Sequence, residues 1–336
     1  MSINHARRES GFSLVELIVA MAIMLLISGA AVTALLKMTS TQATIWNRTQ
    51  MHSGIRGATE VLQQEVGQAG RITLGTTAVT TSNPTTACVT AGCTTSMPVS
   101  ATGGMFVGER LVVDVNPAQE TVQITAIDTT TNTLTVRSVA ASGKVAGHAN
   151  NSPVQVLGAF SAGVVPPATS PSAYAPNGPT MTFANGSTGD TLKLFGDINA
   201  DGNMVYVEYK CDIPAPPSTA PGNLTRNVMP WNQTTASGAA TASQILLSNI
   251  TSNPDGSPCF TYQLNRVDTT YFVTDVAITL TVQTQLIDPV TKQFQKETKA
   301  LLNVSPRNVF NAWQLASLGI MERVQPTPVT ITNLLQ

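Results

Sequence analysis

Asp197 to Glu208 reads DINADGNMVYVE, with oxygen-bearing side chains at alternate positions at its start. It fits the calcium-loop pattern D-x-[DN]-x-[DN]-G-x5-E at every specified position. Calcium takes six to eight hard oxygen ligands, and Asp197, Asn199, Asp201, the carbonyl of Asn203 and Glu208 would supply several of them. The flanks point elsewhere. LKLF before the motif and MVYVEYK after it are strand-like, and an Asp/Asn/Gly cluster between two strands is commonly a hairpin turn. Calcium site and plain turn both stay open.

The four cysteines are Cys88, Cys93, Cys211 and Cys259. CVTAGC has no zinc-type spacing and no nearby histidine. If the chain leaves the cytoplasm, disulfides are the natural use of these residues. Of the three pairings that four cysteines allow, the expected one is a local Cys88–Cys93 staple and a longer Cys211–Cys259 link. The histidines are His5, His52 and His148, and only His148 falls in the later part of the chain. That leaves little material for a Ser-His-Asp or Cys-His set. There is no G-K-[ST] phosphate loop and no G-x-G-x-x-G. An enzyme is therefore not expected.

Glu16 is the remaining chemical oddity. Phe12 to Leu36 is almost wholly apolar and long enough to span a bilayer, and Glu16 is its one acid. A charged side chain at the centre of such a helix costs roughly 2.5–3.5 kcal/mol, so it calls for a function. Arg7 and Arg8 precede the span and Lys37 is the first charge after it. By the positive-inside rule the short leader stays cytoplasmic and the bulk of the chain is exported. An ordinary cleaved signal peptide would use Ser28-Gly29-Ala30 as its cleavage site, but the apolar run is too long for a signal core and contains Glu16. A plain signal anchor explains the length and not the acid.

GFSLVELIVAMAIMLLISG, from Gly11 to Gly29, resembles the class III leader of type IV pilins and pseudopilins. The resemblance implies cleavage by a prepilin peptidase after Gly11, N-methylation of the new terminus at Phe12, and an assembly role for Glu16. An ammonium and a carboxylate are each costly in lipid and tolerable as a pair. In this family the Glu of one subunit is thought to meet the N-terminal amine of its neighbour. That contact would set register, the best-attested use of a buried polar pair. Pairing of Glu16 with its own amine is the alternative.

These groups need elements to position them. After Leu36 the chain turns amphipathic: Ile55, Ala58, Leu62, Val66 and Ala69 recur at helical spacing, with Gln, Arg and Glu filling the other side. One helix from Phe12 to Ala69 would be about 85–90 Å long, with Gly70 as its stop and Gly54, Gly57 and Gly67 as points of bending or melting. Residues 71–99 are Thr-rich and read as a loop stapled by Cys88–Cys93. Alternating segments over 100–160 read as an inserted β module. Residues 161–189 are a Pro/Gly/Ser-rich linker. Seven strand-like segments over 190–310 form a second β region, and 311–336 reads as a short helix and a loose tail. The expected fold class is α+β: a leader (1–11), a pilin spine helix (12–70) whose first half is transmembrane, and a β-rich head carrying an inserted module.

Charged residues are only 11% of the 336, against about 25% in an average domain. With a net charge of -1 there is no basic footprint for nucleic acid. The order EVLQQEVGQAG, DINADGNMVYVEYK, GNLTRN and NVSPRNV resembles the head of PilW-type minor pilins. The segment after Phe310 departs from that pattern. The resemblance implies a minor pilin that primes a type IV pilus or sits near its tip. Its partners would be the prepilin peptidase, other minor pilins, the major pilin, the inner-membrane assembly platform and the inner membrane itself. The implied location is a single-pass inner-membrane protein with a periplasmic head, then the surface pilus. A type II secretion pseudopilin and a pilus-borne adhesin are the alternatives.

Overall fold

The computed structural model describes residues 13–75, 77–167, 185–214, 220–232 and 243–331. The chain forms two units, Met1–His52 with Thr284–Gln295, and Ser53–Gln283 with Lys296–Gln336. Helix α1 (Leu14–Gln68) is unbroken through Gly54, Gly57 and Gly67. Straight-chain residues and alanine dominate it and proline is absent, so propensity supports its length.

In the first unit the apolar stretch of α1 lies bare. Leu14 is 74% exposed and Leu26 75%, and this helix is apolar and long enough to cross a membrane. In the second unit the helix is a packed element. Ile55, Ala58, Leu62, Val66 and Ala69, the face read from periodicity, are all buried. The helix stops at Gln68, and Gly70 follows at φ +81°. A side chain at Gly163 would put its Cβ 2.2 Å from Gly70 Cα, so two glycines let the backbone cross here.

Six strands form an antiparallel sheet: β1 (Val79–Thr80), β2 (Thr94–Pro98), β3 (Arg110–Val113), β4 (Glu120–Asp128), β5 (Thr133–Ser138) and β6 (Pro153–Val156), in the order β1-β6-β3-β4-β5-β2. β1 and β2 come from the Thr-rich stretch that reads as loop. They are polar edge strands, and in β2 only Met97 is buried, so they carry almost no apolar alternation. The sheet's core is Met97, Leu111, Val113, Val122, Ile124, Leu134, Val136 and their neighbours.

The second sheet has seven antiparallel strands: β8 (Thr191–Gly196), β9 (Val205–Asp212), β10 (Gly222–Pro230), β11 (Gln244–Thr251), β12 (Phe260–Val267), β13 (Thr270–Gln283) and β14 (Lys296–Val304). β13 pairs with β11, β12 and β14 along its length. An aromatic core joins the two β regions: Phe160 stacks 4.5 Å from Phe195 and 5.9 Å from Phe106, which meets Trp231 at 5.9 Å. The architecture is therefore α+β, a long apolar N-terminal helix followed by a β-rich globular region.

The C-terminal segment is not loose up to Ile331. Helix α2 (Arg307–Ser317) buries Val309, Ala312 and Ala316, and β15 (Val324–Gln325) pairs in parallel with β7 (Ala159–Phe160). Gln325 is 1% exposed, and its amide donates to the carbonyls of Arg110 and Leu157. Long-range partners hold this stretch, and its own composition gives no sign of them.

Candidate functional site

Gly11 and Phe12 lie outside the described residues. The N–H of Ser13 donates to Glu16 Oε2 at 3.0 Å. Glu16 thus reaches back over the first turn and satisfies an N–H that the helix leaves unpaired. Its charge also lies at the positive end of the helix dipole. Around Glu16 every described side chain up to Lys37 is exposed, so among the described residues nothing shields that charge.

A family model described as the prokaryotic N-terminal methylation motif matches residues 6–32. The match contains Gly11, Phe12 and Glu16 and most of the bare apolar helix. No curated protein matches the chain, and neither does any solved structure. The N-terminus is therefore a type IV pilin-like leader followed by a membrane-anchoring helix.

The Asp197–Glu208 residues fall into two groups. Asp197 is fully buried; its Oδ1 accepts from Asp201 N–H at 3.1 Å, and its Oδ2 lies 3.5 Å from Arg71 Nε. Asp201 Oδ1 accepts from Asn203 N–H at 2.9 Å. Asn199, Asp201 and Asn203 are exposed in the connection between β8 and β9. Glu208 is not brought to this loop. Val205 pairs with Gly196 at the hairpin mouth, and Glu208, three residues on, pairs with Lys193. At about 3.3 Å per residue Glu208 is about 10 Å up the strand. Its carboxylate accepts from Tyr206 OH and lies 3.9 Å from Lys193 Nζ. Among the described residues no three His, Cys, Asp or Glu side chains gather as a metal set. The arrangement matches a turn closed by its own hydrogen bonds. Calcium and chelator should therefore give the same melting midpoint for the detergent-solubilised chain. A midpoint raised by calcium, and no longer raised in Asp201→Ala, would instead establish a metal site.

Cys88 is bonded to Cys93, and Cys211 of β9 to Cys259, which precedes β12. The second bond spans a sequence separation of 48 residues. Chain-entropy accounts give such a loop roughly 4 kcal/mol. His148 is buried in the six-stranded region, with Nδ1 3.3 Å from Asp114 and Nε2 3.4 Å from Glu120. Ser152 Oγ donates to Asp114 at 3.0 Å rather than to the imidazole, which is not the order of a nucleophile relay. Asp114 is held below the usual carboxylate range, first by the Val115 N–H and then by the Ser152 hydroxyl.

One constellation escapes sequence reading. Glu65 reads as part of the polar side of the helix, yet it is 8% exposed. Arg226 donates to it from Nε at 3.1 Å and from Nη2 at 2.6 Å, and Tyr209 OH donates at 2.5 Å. Tyr209 and Arg226 are direct cross-strand partners on β9 and β10, so both present to the helix from one place on the sheet. Burial, then the Glu65 carboxylate, pushes the Tyr209 phenol well above its ordinary range and keeps it a donor. Only strand register brings the three together, and no local pattern encodes it.

Proposed function

We propose that the chain is a minor pilin of the PilW type, a low-abundance structural subunit that primes a type IV pilus or lies near its tip. The observation that carries this reading is Glu16 at the head of a bare apolar helix, inside the matched methylation motif. A prepilin peptidase would cut between Gly11 and Phe12. Phe12 would then be methylated, and the inner-membrane platform would lift the subunit into a filament with other minor pilins and the major pilin. The four bonded cysteines favour an oxidising compartment, hence a periplasmic head and later a surface pilus.

A pseudopilin of a type II secretion system uses the same leader chemistry. The large head, with its additional six-stranded sheet, favours the pilus. Adhesion through that sheet is the remaining reading. Phe106 lies in the core shared with the second sheet, so deleting residues 100–160 would damage the whole head. Surface substitutions on β4 and β5 are the cleaner test of adhesion.

Glu16→Ala should leave membrane insertion intact, because a costly group is removed. Incorporation into sheared filaments should fall at least tenfold, because a neighbour's terminal amine loses its partner. Immunoblots of membrane and filament fractions read both quantities. Unchanged incorporation would show that the pairing does not operate in this subunit.

A further inference from the structure

We propose that the β13–β14 hairpin tip, Thr284–Gln295, is a foot that rests in the headgroup layer of the bilayer holding α1, with an anionic lipid surface as its ligand. The proposal rests on α1 being a membrane anchor.

The tip is a built structure. Thr284 N–H donates to Gln295 O at 2.9 Å, Asp288 N–H to Gln293 O at 3.0 Å, and Lys292 N–H to Asp288 O at 2.8 Å. Asp288 is 3% exposed, and its Oδ1 accepts the N–H groups of Val290 and Thr291. The tip is also fastened to α1 within the same unit. Thr44 Oγ1 donates to Asp288 Oδ1 at 3.2 Å, and Arg48 Nε donates to Gln295 Oε1.

These two contacts give the hairpin a direction. Gln295, at its base, meets Arg48; Asp288, near its turn, meets Thr44, one helical turn closer to the apolar stretch. The hairpin therefore runs down α1 towards the membrane-length segment. That segment ends at Leu36, and Thr44 lies about 12 Å further along the axis. The headgroup layer occupies about 5–8 Å of that interval. The residues of the turn beyond Asp288, Pro289 to Lys292, are placed to close the remainder.

The composition of the tip suits that location. Leu286, Ile287, Val290 and Phe294 are 63%, 52%, 66% and 43% exposed. Single exposed apolar residues are ordinary; four in one short, well-ordered hairpin mark a contact surface. Trp46 is 75% exposed on α1 between the two fastening residues, and tryptophan favours the membrane interface. Charge selects the occupant. Lys37, Arg48 and Lys292 are exposed, whereas the acid of this hairpin, Asp288, is buried. An anionic lipid surface complements both the apolar side chains and the cations. The apolar spine of a second copy carries one acid, Glu16, about 30 Å along the helix from Leu36, so it complements Lys292 poorly.

The test uses the full chain carrying Val290→Trp, in the turn itself, one copy per nanodisc, in phosphatidylcholine and phosphatidylglycerol at three to one, with and without bromine on the upper acyl carbons. Emission of the parent protein is subtracted. The added tryptophan should lose at least half its emission in brominated discs. The loss should be smaller in discs of phosphatidylcholine alone, and smaller again with Lys292→Glu. Thr291→Trp repeats the measurement at a second, exposed position of the turn, should the first variant fold poorly. Equal emission with and without bromine, in a chain that co-elutes with the discs, overturns the foot. A chain that does not co-elute overturns the anchor reading beneath it.

Discussion

Arg226→Met is expected to lower folding stability by about 3–5 kcal/mol, because it leaves the Glu65 carboxylate buried with Tyr209 as its remaining side-chain donor. The side chains of Arg226 and Glu65 are 13% and 11% exposed, so some water relief is available and the lower half of that range is the better expectation. The triple replacement Glu65→Leu, Tyr209→Phe, Arg226→Met should behave oppositely. It removes the whole polar set from a site that α1, β9 and β10 already enclose, and such exchanges are commonly neutral or stabilising. Urea unfolding of the three single variants and the triple in detergent measures this directly. If Arg226→Met costs less than about 1 kcal/mol, the site is wetter than its geometry indicates. If the triple is as damaged as the single, packing rather than charge holds it.

Glu109→Gln is expected to stabilise the protein at neutral pH, an unusual direction for a change in a core. Glu109 lies just before β3 and is fully buried. Its Oε2 accepts the Phe106 N–H at 3.1 Å, while Oε1 has no hydrogen-bond partner. Burial pushes its carboxyl up from 4.5 to about 8, opposed by the Phe106 N–H. The folded state thus prefers the protonated acid. Below about pH 4.5 both states are protonated and there is no penalty. Between about 4.5 and 8 the unfolded chain ionises first, so stability falls as pH rises, and above about 8 the loss is complete. At pH 7 the penalty is of order 3 kcal/mol. Glutamine keeps the shape and the acceptor for Phe106 N–H and has no charge to lose. The expected result is a midpoint above that of the parent at pH 7.5, converging with it near pH 4.5. Parallel curves across that window would mean that Glu109 is not the group responsible.

The elements that were legible in the sequence are those whose burial is periodic. Ile55, Ala58, Leu62, Val66 and Ala69 mark the packed face of α1 because that face is apolar at every turn. AITL within β13 alternates and is buried accordingly, Ile278 and Leu280 fully and Ala277 and Thr279 partly. The elements that were hidden owe their places to distant partners. β1 and β2 are Thr-rich and enter their sheet at its two edges, where backbone pairing matters more than side-chain burial. Val324 and Gln325 look like tail until β7 and Arg110 are beside them. Glu65 sits among glutamines and looks like surface until Arg226 arrives from 161 residues away. The calcium pattern shows the reverse: a local match at every specified position, in which strand geometry carries Glu208 away from Asp197. Glu16 was legible because its cost is local, one acid in a run of apolar residues.

The intact mass of the protein purified from its native membranes tests the central claim most directly. The type IV pilin-like leader predicts a chain that begins at Phe12 and carries one added methyl group on its terminal amine. A mature chain beginning at Ala31, or one retaining Met1 to Gly11, would contradict it.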